Sequence, residues 1–211
     1  MSFQGIRHII FDLGGVILNI DYQATEKAFE ALGIQDFRSC FSQLSQNAFF
    51  DDWETGKITE EQFIYGLQTV AGETKITREQ IINAWNAMLL DFPKRRLQIL
   101  NQLHIHYDLF LLSNTNEIHE KAFNEILKRD HGIPSLYPFF DKIYFSHRVQ
   151  LRKPGAEIFI KILEENNLDP AKTLFIDDSP QHLDAAKKLG IQVLQASNSL
   201  GMEEIFRSKN G

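Results

Sequence analysis

The chain is nearly without cysteine: Cys40 is the single one in 211 residues. That excludes an internal disulfide and any zinc or iron–sulfur centre built on a cysteine cluster, and it fits a reducing, cytoplasmic setting. Surplus positive charge is also lacking. The formal net charge is −6 and no basic run interrupts it. This argues against nucleic acid and anionic membranes as partners, since such binding draws on excess Lys and Arg. Long apolar runs are missing too. The opening "MSFQGIRHII" meets Asp12 after a few apolar residues, too soon for a signal peptide or a membrane span. No internal repeat, low-complexity segment or flexible linker stands out. What remains, 43% apolar and 24% charged, is the composition of a soluble protein with one core, or one core carrying an insertion. Oligomeric state is left open.

Five apolar runs read as buried strands: "HIIFD" (8–12), "LFLLS" (109–113), "KIYFS" (142–146), "TLFID" (173–177) and "QVLQA" (192–196). Near-continuous apolar character suits strands covered on both faces, as in a parallel sheet. Helical patterns separate the later runs. In "SPQHLDAAKKLG", Ser179 reads as an N-cap, Pro180 as the first helical residue and Gly190 as the terminator. Alternating strands and helices predict an α/β fold with a doubly wound parallel sheet. Roughly seventy residues without a strand candidate follow the first run, far beyond an ordinary crossover.

That interval reads as an inserted helical bundle. Phe63, Leu67 and Val70 share a face in "TEEQFIYGLQTVAG", with Thr59 and Gln62 spaced as a capping box. Thr77 and Gln80 repeat the device ahead of Ile81, Trp85, Met88 and Leu89. Earlier helices are expected over "ATEKAFEALG" and around Phe41 to Phe50. The expected division is a core of residues 1–17 and 91–211 and a helical unit of residues 18–90. Phe49, Phe50, Trp53 and Phe63 read as bundle core, and "ETGK", Glu54 to Lys57, resembles a cap loop of the kind that faces an active site.

Ligands of open α/β sheets bind beyond the carboxyl ends of the strands. The first run ends in Asp12, the second in Ser113 and Asn114, the fourth in Asp177 and Asp178, and Lys153 follows the third. These types fit phosphoryl transfer. An aspartate can attack phosphorus. A hard divalent cation on oxygen ligands, with a lysine, can offset the charge of phosphate and carboxylates. A hydroxyl, an amide and backbone N–H groups can hold the phosphoryl oxygens. Gly14 and Gly15 allow a sharp turn and close approach. Taken singly, each of these residues also has a bland reading: a strand-end acid, a helix cap, a surface lysine.

"FDLGGV", "LLSN", "LRKPG" and "FIDDSPQHLDAAKKLG", in this order, resemble the four motifs of the haloacid dehalogenase-like hydrolase superfamily. The helical insertion resembles its small α-helical cap. Within the family the chain is most similar to cap-bearing sugar-phosphate phosphatases, including glucose-1-phosphate phosphatase-like sequences. The resemblance implies a Rossmann-like core and a Mg2+-dependent phosphatase acting on a small phosphorylated metabolite through an aspartyl-phosphate. Asp12 would be the nucleophile and a metal ligand, and Gly14 a ligand through its carbonyl. Ser113 and Asn114 would hold the phosphoryl group, and Lys153 would pair with it and with Asp12. Asp178 would bind the metal directly and Asp177 nearby or through water.

The sequence departs from the family where phosphatases usually carry a second aspartate two residues after the nucleophile; here that position is Gly14. A glycosyl phosphate, with its better leaving group, would soften the need for an acid. Asp21, Glu54 and His182 are the proton-carrying candidates to replace it. His182 also stands where Asn is frequent, and Gly155 where Asp is. His104, His106, His119 and His131 read as structural or surface residues. Two other functions stay open: a metal-independent 2-haloacid-type dehalogenase, and a non-catalytic module binding a phosphoryl ligand or a partner.

Overall fold

The computed structural model describes residues 3–34, 48–71, 75–197 and 200–207. The five apolar runs form β1 (His8–Phe11), β2 (Asp108–Ser113), β3 (Lys142–Phe145), β4 (Thr173–Asp177) and β5 (Gln192–Gln195). They make one sheet in the order β3-β2-β1-β4-β5, every pairing parallel. The fold is the expected doubly wound α/β sheet. β1 lies at its centre, with Phe11 level with Leu111 of β2 and Ile176 of β4. The residue that follows β1 therefore enters the middle of the sheet's carboxyl edge.

Side chains alternate along a strand, and two cores result. Ile9, Phe11, Leu109, Leu111 and Ile176 face one layer, while Ile10, Phe110, Leu112 and Phe175 face the other. β5 departs from the expected full burial. It is an edge strand whose Gln192 and Gln195 are exposed and whose Val193 and Leu194 are partly covered. Three strands also end a residue early: Asp12 lies just past β1, Ser146 opens a short helix rather than closing β3, and Ala196 lies just past β5.

Between β1 and β2 run α1 (Tyr22–Ala31), α2 (Ala48–Glu54), α3 (Glu60–Val70), α4 (Arg78–Asn86) and α5 (Lys94–Leu103). Both capping boxes are present, Thr59 with Gln62 and Thr77 with Gln80. Phe29, Phe50, Trp53, Phe63, Leu67, Ile81 and Trp85 build a separate aromatic core. Phe63 stacks on Trp53 with 4.6 Å between ring centroids, and Phe50 stacks on Trp85. Aromatic pairs of this kind add about 0.5–1.5 kcal/mol each beyond area burial. α4 stops at Asn86, short of the expected end, because Leu89 pairs in a bridge with Ile20 and ties the two chain crossings together. Cys40, residues 41–47 of the Phe-rich stretch, and the side chain of Val70 lie outside the described residues.

The remaining helices are α6 (Glu117–His131), α7 (Ser146–Val149), α8 (Ala156–Glu165), α9 (Pro180–Lys188) and α10 (Met202–Ile205). Gly190, in the left-handed region at φ +84°, follows the end of α9 as expected. Ser179 occupies the N-cap position of α9, but its hydroxyl caps nothing; Asp177 Oδ1 accepts the Ser179 N–H at 2.7 Å instead. Among the described residues no helix is long and apolar enough to cross a membrane.

Candidate active site

Asp12 is placed by the backbone before its side chain acts: its N–H donates to the Ile176 carbonyl at 2.9 Å, continuing the β1–β4 ladder by one residue. The chain then turns through Gly14 and Gly15. Gly15 has φ +72°, and a Cβ there would lie 2.5 Å from Asp178 Oδ2. Only glycine fits both the left-handed backbone and the carboxylate beside it.

Lys153 is 1% exposed. Its Nζ donates to Asp12 Oδ1 at 2.6 Å and to Asp177 Oδ2 at 2.7 Å, so one buried ammonium joins the ends of β1 and β4. Burial works against its charge, yet Asp12 and Asp177 outweigh burial and raise its pKa above the ordinary lysine value. Asn114 positions it from behind. The Asn114 amide donates to the Lys153 carbonyl and accepts the Lys153 N–H, both at 2.9 Å. The Ser146 hydroxyl similarly accepts the Thr115 N–H and donates to the Thr115 carbonyl.

Asp12, Asp177 and Asp178 each bring a carboxylate oxygen to within 4.8 Å of the others. Their protonation differs with their surroundings. Burial pushes Asp12 up to about 7, with Lys153 opposing and the charges of Asp177 and Asp178 adding to the rise. Burial and the Asp177 charge push Asp178 up to about 6. Asp177 is also buried, but Lys153 and His182 hold it well below the usual carboxylate range. Like charges at close range thus leave Asp12 and Asp178 short of positive charge. A cluster of hard oxygen donors in that condition suits a hard divalent cation.

One pocket contains Asp12, Gly14, Ser113, Asn114, Lys153 and Asp178. The structure brings these sequence-derived residues together, with Asp177 buried beside them. Ser113 is buried, its hydroxyl 3.5 Å from the Asn114 carbonyl. Of the three proton-carrying candidates, Glu54 and His182 line the pocket. His182 Nδ1 lies 3.0 and 3.1 Å from the two oxygens of Asp177. Asp21 instead caps α1, accepting the Gln23 N–H at 3.0 Å. Within "ETGK", Glu54 faces the pocket, while Gly56 and Lys57 line a separate cleft beside His147.

Two titratable pocket residues, Arg152 and Tyr22, were not singled out in the sequence. Arg152 pairs with Glu54 at 3.1 Å and with Asp51, both from α2; its place beside Lys153 in "LRKPG" was the available signal. Tyr22 keeps 39% of its surface exposed, yet its hydroxyl end is enclosed. Burial, with the charges of Asp178, Asp12 and Glu54, pushes that phenol well above its ordinary value. His119, read as structural or surface, is structural: it is buried and stacks on Trp85, and it also lines the pocket. His104 ends α5 beside Asp141, and His131 reaches the Phe92 carbonyl.

An open parallel sheet carrying a buried aspartate, a bridging lysine and an oxygen-donor cluster at its carboxyl edge is the arrangement of an α/β hydrolase. A model of the haloacid dehalogenase-like hydrolase family matches residues 6–190, and the chain belongs to that family. It is 31% identical to the D-ribitol-5-phosphate phosphatase of Bacteroides thetaiotaomicron, over 92% of this chain and 93% of that protein. The crystal structure of a haloacid dehalogenase family enzyme from the same organism, in complex with magnesium and inorganic phosphate, superposes with a TM-score of 0.85. It is 33% identical and covers 96% of this chain and 100% of its own. A haloacid dehalogenase-like hydrolase from Porphyromonas gingivalis superposes with a TM-score of 0.83 at 30% identity, covering 92% of both chains.

Proposed function

We propose that this hydrolase is a magnesium-dependent phosphatase of a small phosphorylated metabolite, a sugar or sugar-alcohol phosphate. The observation that carries the reading is Lys153 bridging Asp12 and Asp177 inside the three-carboxylate cluster. The similarity to a D-ribitol-5-phosphate phosphatase supports the substrate class. Asp12, the Gly14 carbonyl and Asp178 would hold magnesium, with Asp177 nearby and committed to Lys153. Bound there, the cation would offset the negative charge of phosphate and carboxylates.

Asp12 attacks the phosphorus and forms an aspartyl-phosphate, which water then hydrolyses. Lys153 steadies the charge passing between Asp12 and the phosphoryl oxygens. Ser113 and the backbone beside it hold those oxygens, and Asn114 keeps Lys153 in place. Residues 18–90 act as a cap over the core of residues 1–17 and 91–211, closing the site to water and to large substrates. Ribitol 5-phosphate is an ester of a primary alcohol, so this reading moves the expected substrate away from glycosyl phosphates. The three-carboxylate cluster favours a cation-dependent reaction over metal-independent dehalogenation.

The test is phosphate release from sugar phosphates, alditol phosphates, nucleotides and an aryl phosphate, with magnesium or with EDTA, beside Asp12→Asn. The expected result is magnesium-dependent release from small polyhydroxy phosphates, lost in Asp12→Asn. Release that survives EDTA or the substitution would overturn the reading, and halide release from a 2-haloacid would install the dehalogenase in its place.

A further inference from the structure

We infer that Glu54, from the helical unit, is the general acid and base of the reaction. The inference rests on the phosphatase reading above. An alkoxide leaving group requires a proton as the ester bond breaks, and general acid help is worth about 10²–10⁴-fold. Position 14, two residues beyond Asp12, supplies no side chain. A Cβ on Gly14 would meet Ile20 Cδ1 at 3.1 Å, a tight contact that the end of the Ile20 side chain would have to relieve. The proton has to come from elsewhere in the pocket.

The proton-bearing groups that line it can be taken in turn. Asp12 and Asp178 belong to the nucleophile and cation cluster, and Lys153 is locked between Asp12 and Asp177. Arg152 remains charged and cannot donate usefully. His119 has both ring nitrogens engaged, one with Asn116 and one with the Trp85 carbonyl. His182 turns Nδ1 to Asp177 and has only Nε2 to offer. Tyr22 is an enclosed phenol, and burial and the nearby carboxylates both disfavour its ionisation. Glu54 is the carboxylic acid of the pocket outside the nucleophile and cation cluster.

Glu54 is 7% exposed, ends α2 and reaches the pocket from the side of the helical unit. Arg152, adjacent to Lys153, holds it at 3.1 Å. That contact ties the Glu54 carboxyl group to the residue beside Lys153. A carboxyl group held at the pocket can give and take a proton in turn.

The steps balance. Asp12 Oδ bonds to phosphorus as the P–O bond to the alcohol breaks, and the departing oxygen takes the Glu54 proton. The Glu54 carboxylate then takes a proton from water as the water oxygen bonds to phosphorus. The P–O bond to Asp12 breaks, phosphate leaves, and Glu54 is protonated again.

The test compares an alditol phosphate, ribitol 5-phosphate, with 4-nitrophenyl phosphate, whose leaving group needs no acid. Glu54→Gln is expected to lower turnover of the alditol ester by about a hundredfold or more. With the aryl ester it should still give a rapid burst of one nitrophenol per site, followed by slow phosphate release, because the base of the second step is lost. Asp51→Asn removes the other partner of Arg152 and should leave the ratio of the two esters unchanged. Loss of the nitrophenol burst along with the alditol activity, no loss on either ester, or the same split in Asp51→Asn, Tyr22→Phe or His182→Gln would overturn the assignment. Wild-type protein silent on both esters would overturn the phosphatase reading itself.

Discussion

A lysine that is 1% exposed is tolerable only where its charge is matched, and Lys153 finds its match in two carboxylates. Lys153→Met should therefore destabilise the fold by about 3–5 kcal/mol, because it leaves Asp12 and Asp177 facing each other without a cation. Asp12→Asn, which removes a buried like charge, should cost far less. Urea unfolding at neutral pH checks both, and equal losses would show that the bridge does not organise the site. At Gly15 the constraint is spatial. Gly15→Ala places a methyl 2.5 Å from Asp178 Oδ2 in a left-handed backbone, which costs about 1–2 kcal/mol for the backbone alone. Magnesium affinity, read by calorimetry, should drop at least tenfold as Asp178 is displaced; an unchanged affinity would remove Asp178 from the proposed ligand set. The positions of Asp12 and Asp178 were legible in the sequence because each follows an apolar run that fixes a strand end, and Lys153 was legible through "LRKPG" after the third run. The grip of Asn114 on the Lys153 backbone was not, since nothing local marks which distant carbonyl an amide will meet.

At the scale of elements, the N-terminus of α6 is fastened to the end of α4 by a buried polar cluster. Asn116 Oδ1 accepts the His119 N–H at 3.0 Å and Trp85 Nε1–H at 3.2 Å, and its amide lies 3.2 Å from His119 Nδ1. His119 Nε2 reaches the Trp85 carbonyl at 3.0 Å, an oxygen that also accepts the Thr25 hydroxyl. The contacts fit a neutral imidazole protonated at Nε2, and burial pushes its pKa down to about 4. The unfolded chain takes up this proton near 6.5, before the folded protein does, so stability falls as pH drops from 6.5 to 4 and levels off below. Between pH 7 and pH 5 the loss from this residue is on the order of 2 kcal/mol. His119→Gln should flatten that limb in urea midpoints measured at the two pH values, and an equally steep limb would place the proton uptake elsewhere. The sequence disclosed the strands and both capping boxes, because period and cap chemistry are local. It extended α4 too far, since Met88 and Leu89 continue the apolar pattern while bridging to Ile20 ends the helix. It also read β5 as buried, since strand composition does not reveal which strand lies at the edge.

At the scale of the whole molecule, the question is whether the helical unit and the sheet unfold together. The insertion was legible because no strand run occurs in it. Its attachment to the sheet was not, because that depends on Ile118 of α6, whose side chain joins the aromatic core of the helical unit, and on Arg152 reaching Asp51 and Glu54. Both tryptophans of the chain, Trp53 and Trp85, lie in the helical unit. Indole fluorescence therefore reports that unit, while far-UV circular dichroism reports every helix and strand. Shared core packing and buried polar ties at one junction make the two parts cooperative, so the two signals should give one urea transition in the wild-type protein. Ile118→Ala removes an anchor that is 3% exposed and should cost about 2–5 kcal/mol. If Ile118 carries the coupling, the fluorescence transition should move to lower urea than the dichroism transition in this variant. Arg152→Ala should widen the gap further by releasing Asp51 and Glu54. Transitions that remain superimposed through both substitutions would show that the helical unit and the sheet share a single core, and that the division at residues 17 and 91 does not describe how this protein folds.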